Sequence, residues 1–333
     1  MHQASSTRSQ TRRARPPKPD AREEHLSKLT ATLRANLEKC VTSPEIDPVH
    51  DVRTGTRRLQ AMIEAILRER GEDASLQQTA TEWLGALKKM RRAAAPVRDL
   101  DVHRKLLHKL VKDGSRNEAA IVTHAPGIVE APAAELPANP VARQAEHLDA
   151  WLHHARQHHA ATLKKKAAKL LAKFDDEAAA FASAMKQGAR TRRRPRSVAI
   201  VALESFARLM HEMQQLDANN LHNFRKGAKK ARYIAESAAE DAHAIAIGKA
   251  LKRLQDDIGD WHDWLVLADE ARAALGDEGN DLIALLDVER DRHYVFSMKT
   301  VNRLRGKLMG EWLAMSQPRR RSRSAPSRKE LSS

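Results

Sequence analysis

Apolar residues recur every three or four positions along most of the chain between residues 25 and 315. This spacing places them on one face of an α-helix, so each such stretch predicts a helix whose apolar face packs against a core. The stretches with the clearest pattern are 25–42, 48–69, 74–95, 98–112, 141–174, 176–188, 197–214, 219–239, 243–258, 261–275 and 280–315.

Two segments interrupt the helical pattern. Residues 113–140 carry two glycines and four prolines, which predicts a linker or a long loop. Residues 188–196, with the sequence GARTRRRPR, hold five arginines around Pro195 and indicate an exposed basic connection. The basic connection divides the helical region, 25–316, into a first half (25–188), which contains the proline-rich loop at 113–140, and a second half (197–316).

The two halves repeat one another. The segment VHDVRTGTRRL at 49–59 recurs as LHNFRKGAKKA at 221–231, with the histidine, the first arginine, the glycine and the basic pair in the same register. A second block, LKKM at 87–90, recurs as LKRL at 251–254. Two matching blocks in the same order indicate a duplicated helical unit.

The composition agrees with an all-α fold and indicates the cellular compartment in which the protein works. Aromatic residues make up only 4% of the chain, and alanine, leucine, lysine, arginine and glutamate are abundant, which favours helices. The single cysteine, Cys40, cannot form an internal disulfide and is typical of a reducing cytosol. No segment reaches the roughly 18 apolar residues of a membrane-spanning helix. Residues 1–15 lack the apolar stretch of a secretory signal. We therefore expect a cytoplasmic protein with no membrane partner.

The chain carries a formal net charge of +16 at pH 7, which indicates polyanionic partners. Residues 1–24 hold six Lys or Arg against three acids, and residues 317–333 hold six against one. Because both ends are also poor in apolar residues, we expect a disordered basic arm and a disordered basic tail. The two ends contribute +3 and +5, so +8 remains in the helical region.

The basic residues of the repeated segment share one helix face. At about 100° per residue, His50, Arg53 and Arg57 lie on the side opposite Val52 and Leu59, and the second copy is arranged in the same way. Cations in the first helical turns oppose the helix dipole, and like charges four residues apart repel by about 0.2–0.5 kcal/mol. Because the arrangement occurs twice, it indicates that an anion compensates the repulsion. Cations spaced by about 5 Å per turn suit a row of phosphates better than one small carboxylate.

The segments HDVRTGTRRLQ (50–60) and LHNFRKGAKKARY (221–233), followed by VRDLDV (97–102) and LQDDIGDWHD (254–263), resemble the two halves of a CHAD protein, the conserved histidine α-helical domain. The resemblance covers residues 25–315. It implies two four-helix bundles, related by a pseudo-twofold axis, around a basic pore or groove that binds inorganic polyphosphate. It also implies association with polyphosphate granules.

Three features depart from the family pattern. Thr54 replaces the more usual apolar residue, His262 stands where the first half has Arg98, and the insertion at 113–140 is long. The chain also lacks the ExExK motif of the triphosphate-tunnel domain that some relatives carry. The residues that the family uses to bind polyphosphate carry over onto His50, Arg53, Arg57, Arg58, Lys88, Lys89, Arg98, His222, Arg225, Lys226, Lys229, Lys230, Arg232, Lys252 and Arg253.

Two other functions compete with polyphosphate binding. The basic ends and the high net charge would also serve a non-specific nucleic-acid-binding protein. However, two Tyr, five Phe and five Trp leave little for base stacking, which disfavours recognition of single strands. The pairs His50–Asp51 and His262–Asp263 are reminiscent of an HD-type metal-dependent phosphohydrolase, but the repeat replaces Asp51 by Asn223 while it keeps the neighbouring cations.

A metal or nucleotide cofactor has little support in the sequence. His154 and His158 have the i, i+4 spacing of metal ligands, yet no acidic or cysteine ligand accompanies them in a recognised motif. The chain contains no GxxxxGK[ST] or GxGxxG loop. We therefore predict an all-α, non-catalytic polyphosphate-binding protein without metal or cofactor, associated with polyphosphate granules in the cytoplasm.

Overall fold

The computed structural model describes residues 21–70, 73–123, 140–187, 197–238 and 241–316, which are helical almost throughout, with no strand among them. The helices in chain order are α1 (Ala21–Thr42), α2 (Ile46–Arg70), α3 (Ala74–Thr123), α4 (Pro140–Gln187), α5 (Val198–Glu212), α6 (Leu221–Glu236), α7 (Ala242–Leu275) and α8 (Asn280–Ser316), with a 3-10 turn (Gly276–Gly279) between α7 and α8. The prediction of an all-α fold is confirmed.

The ends of α7 show how local chemistry sets a helix boundary. The helix begins after Asp241, whose carboxylate accepts hydrogen bonds from the backbone N–H groups of His243 and Ala244. It ends at Gly276, whose φ of 52° lies in the left-handed region that favours glycine. Asp241 and Gly276 therefore fix the length of α7.

Three long helices are continuous where the apolar pattern predicted a break. α3 runs through Pro96, α4 through Asp175 and α7 through Gly259. Pro96 removes one intrahelical hydrogen bond, but Ala94 and Val97 on either side are fully buried and hold the helix in place. The prediction of separate helices was wrong at these points because tertiary packing outweighs local propensity.

The first part of the segment predicted as a long loop, 113–140, is helical instead. α3 continues through Gly114 to Thr123, and α4 begins at Pro140, whose fixed φ suits the first helical turn. Residues 124–139 lie outside the described residues. The helical part of the first half is therefore longer than the sequence pattern predicted.

The predicted basic ends lie mostly outside the described residues. Of the arm at 1–24, only the part from Ala21 onward is described, and there it belongs to α1. The tail at 317–333 and the basic connection at 188–196 both lie outside the described ranges.

Each half encloses a hydrophobic core of its own. In the first half α1, α2, the first part of α3 and the last part of α4 surround Trp83, whose ring centroid lies 6.3 Å from that of Phe174 and 5.4 Å from that of Phe181. In the second half α5, α6, the first part of α7 and the last part of α8 surround Phe206 and Phe224, with ring centroids 6.2 Å apart. The helices follow the same order around both cores.

A third core joins the two halves. The last part of α3 and the first part of α4 pack against the last part of α7 and the first part of α8, around Leu107, Leu148, Trp264 and Leu282. The family resemblance implied two bundles and gave no sign of this core, because an apolar pattern shows which residues are buried but not what covers them. The third core holds the halves together while α2 contacts α6 directly.

Candidate anion-binding cavity

The basic faces of α2 and α6 open onto one cavity of about 970 Å³, which α3 and α7 complete. The opposite face of α2, with Val52 and Leu59, is fully buried in the first core, and that of α6, with Phe224 and Ala231, is fully buried in the second. Burying the apolar face of each amphipathic helix turns its basic face toward the cavity. The cavity is therefore a consequence of the repeated sequence pattern.

A glycine in each repeated helix permits a close contact with the preceding helix. A Cβ at Gly55 would lie 3.2 Å from Leu33 Cδ1 on α1, and a Cβ at Gly227 would overlap the side chain of Leu209 on α5. These contacts seat α2 against α1 and α6 against α5. They set how far each basic face reaches into the cavity.

Ten of the fifteen residues predicted from the sequence line this cavity. They belong to both repeated helices and to α3, and they are His50, Arg53, Arg57, Lys88, Arg98, His222, Arg225, Lys226, Lys229 and Lys230. The structure thus brings the two copies of the repeat onto one surface. Their role in binding stays a prediction.

The other five predicted residues do not belong to the cavity lining. Arg232 forms an ion pair with Glu236 and donates a hydrogen bond of 3.0 Å to Oε1 of Gln255, so its charge is engaged on α6 and α7. Lys252 is exposed and pairs with Asp256 one turn along α7. The remaining three residues are exposed to solvent: Arg58, Lys89 and Arg253.

The cavity also contains residues that the sequence analysis did not assign to the site. Arg91 and Arg92 add two cations from α3, and the basic run KKMRR on that helix could have identified them. Asp99, His103 and Asp263 bring further titratable groups to the lining. The repeat is a signal for the two aspartates, since Asp99 follows Arg98 and Asp263 follows His262, which stands at the equivalent position. No sequence signal places His103 there, because its position depends on how α3 and α7 pack.

Two arginines of the repeat tie each basic helix to its neighbour. The Arg53 guanidinium forms an ion pair with Asp99 on α3. Nε of Arg225 donates a hydrogen bond of 2.9 Å to the backbone carbonyl of Gln255 on α7. The Arg225 side chain lies across Gly259, where a Cβ would come within 2.6 Å of Nη2. Both arginines therefore position the helices as well as contribute charge.

Lys229 is a cation in surroundings that disfavour its charge. Burial, together with the nearby guanidinium groups of Arg225, Arg57 and Arg53, lowers the pKa of Lys229 to about 7. Its amine forms no hydrogen bond or ion pair with any residue that the structure describes. Burial also lowers the pKa of Arg57 and Arg225. A partly desolvated group of cations that repel one another becomes more stable when an anion enters.

Two histidines stack in the cavity lining. The ring centroids of His222 and His262 lie 3.9 Å apart. Burial is the main reason that the pKa of each is about 4, and the neighbouring cations lower both further. Both rings are therefore neutral at pH 7. Nδ1 of each ring is buried and has no hydrogen-bond partner among the described residues, which is uncommon for a buried polar atom.

Asp263 loses its negative charge at a higher pH than an ordinary aspartate does. Burial raises the pKa of Asp263 to about 6, although His103 and Arg225 favour its charged form. Nδ1 of His103 lies 2.7 Å from Oε2 of Glu270, so this histidine is held by a carboxylate behind the lining. Because Asp263 becomes neutral below about pH 6, the net positive charge of the cavity increases as the pH falls.

The described residues offer few of the features that a metal ion or a membrane requires. No group of three or more His, Cys, Asp or Glu side chains within these ranges is placed to hold a metal ion. His154 and His158 are exposed on α4. Of the described helices, none is both long and apolar enough to cross a membrane.

Comparison with known proteins places the chain in a family. The sequence matches the CHAD domain over residues 24–272, which extend from α1 into α7 and include every residue of the cavity. None of the curated proteins matches the chain. Among solved structures, the chain is similar to the crystal structure of the CHAD domain from the plant Ricinus communis, with 16% identity and a TM-score of 0.55 over 86% of this chain and 90% of that chain. At this identity the structural likeness shows the fold alone, but the family match covers most of the chain, which therefore belongs to the CHAD domain family.

Proposed function

We propose that the cavity binds inorganic polyphosphate. The observation that carries the proposal is the convergence of ten Lys and Arg side chains from α2, α3 and α6 on one cavity that contains only three carboxylates. The CHAD domain is associated with polyphosphate-related proteins. A linear polyanion supplies the negative charge that this arrangement lacks.

The extent of the cavity favours a polymer over a single phosphate. Its lining runs along α2 from His50 to Glu64, which corresponds to about 21 Å at 1.5 Å per residue. One phosphate would meet only a few of the cations spread along this length. A chain of phosphates contacts many of them at once, with forked hydrogen bonds from arginines and mobile point charges from lysines.

In the proposed complex α2 and α6 flank the bound chain as equivalent helices, with the two halves related by a pseudo-twofold axis. Binding is multivalent and releases counterions, so the affinity falls steeply as the salt concentration rises. The site binds its ligand without turnover, and binding attaches the protein to polyphosphate granules. Release of orthophosphate above the level of a protein-free sample would contradict the non-catalytic role.

A pair of matched double variants of the full chain tests whether the cavity is the site. Arg57→Gln with Lys229→Gln removes two cavity cations and leaves the ion pair of Arg53 intact. We expect the affinity for long-chain polyphosphate to fall by at least about tenfold. The control, Lys252→Gln with Arg253→Gln, removes the same formal charge from α7 outside the cavity and should change the affinity by less than about twofold. Equal losses in the two variants would contradict the assignment.

Competition at physiological salt distinguishes polyphosphate from nucleic acid. Labelled long-chain polyphosphate on the full chain is displaced with unlabelled polyphosphate, duplex DNA, RNA or triphosphate. We expect unlabelled polyphosphate to compete at concentrations at least about tenfold lower, per phosphate, than any of the others. Equal competition by DNA or RNA would instead indicate a generic basic surface.

A further inference from the structure

The outward face of α8 carries an apolar stripe that no described residue covers. Leu285 is 43% exposed, Val288 63%, Val295 52% and Phe296 50%. At about 100° per residue these four side chains lie on one side of the helix, and the buried residues of α8 lie on the opposite side. Of the large apolar side chains that are exposed in the described ranges, more lie on α8 than on all the other helices together.

Two glycines extend the stripe toward the end of the helix. Gly306 and Gly310 are exposed on the same side as the apolar residues, and a Cβ at either position would meet no atom within 4 Å. Leu313, which is 52% exposed, follows on the same face. Glycine destabilises the middle of a helix relative to alanine. Two exposed glycines on one face of a helix are explained if another backbone approaches closely there, since glycine has no side chain to keep it away.

The charges of α8 are segregated along its length. From Asp281 to Asp291 the helix has four acids and one arginine, whereas from Arg292 to Gly310 it has five Lys or Arg and no acid. Two such helices in antiparallel orientation place the acidic part of each against the basic part of the other. A parallel arrangement would oppose like charges.

We propose that the outward face of α8 is a homodimer interface in which the α8 helices of two copies pack antiparallel. In the register that sets Val288 against Gly306 of the second copy, Leu285 lies beside Gly310, and Glu289 lies near Arg303 on the same flank of the stripe. The large apolar side chains of each copy then fit over the glycines of the other. Because the pairing has twofold symmetry, each of these contacts occurs twice.

The self-complementary pattern identifies a second copy of this chain as the occupant. The apolar residues, the glycines and both signs of charge are present on one face and match their own reversed order. This inference goes beyond polyphosphate binding and does not depend on it, since no residue of α8 lines the cavity.

Sedimentation velocity of the full chain over a range of concentrations tests the proposal. We expect a concentration-dependent shift from 37.3 kDa to twice that mass. Phe296→Glu should weaken the dimer by at least about tenfold, with helical content unchanged. The matched control is Ile245→Glu, an exposed apolar residue on α7, which should leave the dimer intact. A monomer at every concentration, or a dimer that Phe296→Glu does not weaken, would overturn the proposal.

A charge exchange tests the antiparallel arrangement. Glu289→Lys and Arg303→Glu should each weaken the dimer, because each variant opposes like charges in both symmetry-related pairs. An equimolar mixture should recover the dimer, since the mixed pair sets Lys against Glu at one end and Arg against Glu at the other. Failure of the mixture to associate more strongly than either variant alone would overturn the antiparallel register.

Replacing the two glycines should change the stability of the monomer and the stability of the dimer in opposite directions. Gly306→Ala with Gly310→Ala should raise the thermal stability of the monomer, because alanine favours the helix, and should weaken the dimer, because the added Cβ atoms separate the two backbones. A variant that is stabilised without loss of dimer would contradict the close approach.

Discussion

Lys229 and Asp263 make the charge of the cavity depend on pH. Lys229 has a pKa of about 7, well below its ordinary value of 10.5, because it is buried among arginines. Its charged form is therefore disfavoured in the folded chain, and its contribution to stability decreases as the pH falls from 10.5 toward 7. A bound anion reverses this penalty. Asp263, with a pKa of about 6, loses its negative charge as the pH falls further, through about 6.

The affinity for polyphosphate should therefore rise as the pH is lowered. Between pH 8.5 and 7.5 the amine of Lys229 is largely neutral in the free protein, so binding takes up a proton there. One proton taken up changes the affinity by up to about tenfold per pH unit. In equilibrium titrations of the full chain between pH 6.5 and 8.5, in one buffer series at fixed salt, we expect the Lys229 contribution to approach this slope at the alkaline end and to become shallower below pH 7.

Lys229→Arg separates this proton uptake from protonation of the ligand itself. Arginine stays charged over the whole range, so the variant should bind with a shallower pH dependence. Lys230→Arg, on the exposed neighbour, should keep the wild-type slope. Identical slopes for wild type and Lys229→Arg would show that Lys229 does not take up the proton.

Gly259 controls the position of the Arg225 guanidinium. In Gly259→Ala, the new Cβ would lie 2.6 Å from Nη2 and 3.2 Å from Cζ of Arg225, so the guanidinium must move away from the Gln255 carbonyl. We expect overpacking to cost about 1–3 kcal/mol, offset by about 1 kcal/mol of improved helix propensity. The polyphosphate affinity should fall by several-fold, as measured by the same titration.

Gly248→Ala on the same helix is the matched control for Gly259→Ala. Its Cβ would meet Ala235 and Glu236 at 3.7 Å, an ordinary contact. This variant should gain about 1 kcal/mol of stability and keep its affinity. A parallel loss of affinity in both variants would contradict the role of Gly259 in seating Arg225.

At the scale of the helices, the third core couples the halves that form the cavity. Leu148 on α4 lies in this core and Leu37 on α1 lies in the first core, and both are fully buried. Either Leu→Ala variant should lose about 2–5 kcal/mol of unfolding free energy. Only Leu148→Ala loosens the contact between the halves, so it should weaken polyphosphate binding under conditions where both variants remain folded.

Chemical denaturation and a binding titration on the two variants check this expectation. Unfolding curves establish the fraction of each variant that is folded under the binding conditions. If Leu37→Ala weakened binding as much as Leu148→Ala, the cavity would depend on general stability and not on the third core.

The buried faces of some helices could be predicted from the sequence, whereas the continuity of others could not. The amphipathic pattern of α2 and α6 predicted which face is buried, and the doubled segment predicted that His50 and His222 share one surface; both residues line the cavity. Continuity through Pro96 and Gly259 could not be predicted, because it depends on partners that are distant in sequence. The same reason hid His103, which also lines the cavity.

At the scale of the whole molecule, charge is concentrated where the halves meet. The formal net charge is +16, and the cavity alone holds ten Lys or Arg against three carboxylates. The basic ends outside the described residues add charge that attracts any polyanion at long range. In the proposed function, selectivity therefore resides in the cavity, and the ends contribute only non-specific attraction.

The structure of the full chain bound to polyphosphate of defined length tests the central claim most directly. The account predicts phosphates in the cavity between α2 and α6, with oxygens about 2.7–2.9 Å from the guanidinium of Arg57 and the amine of Lys229. Phosphates that lie instead along the exposed cations Lys252 and Arg253, with the cavity free of ligand, would contradict it.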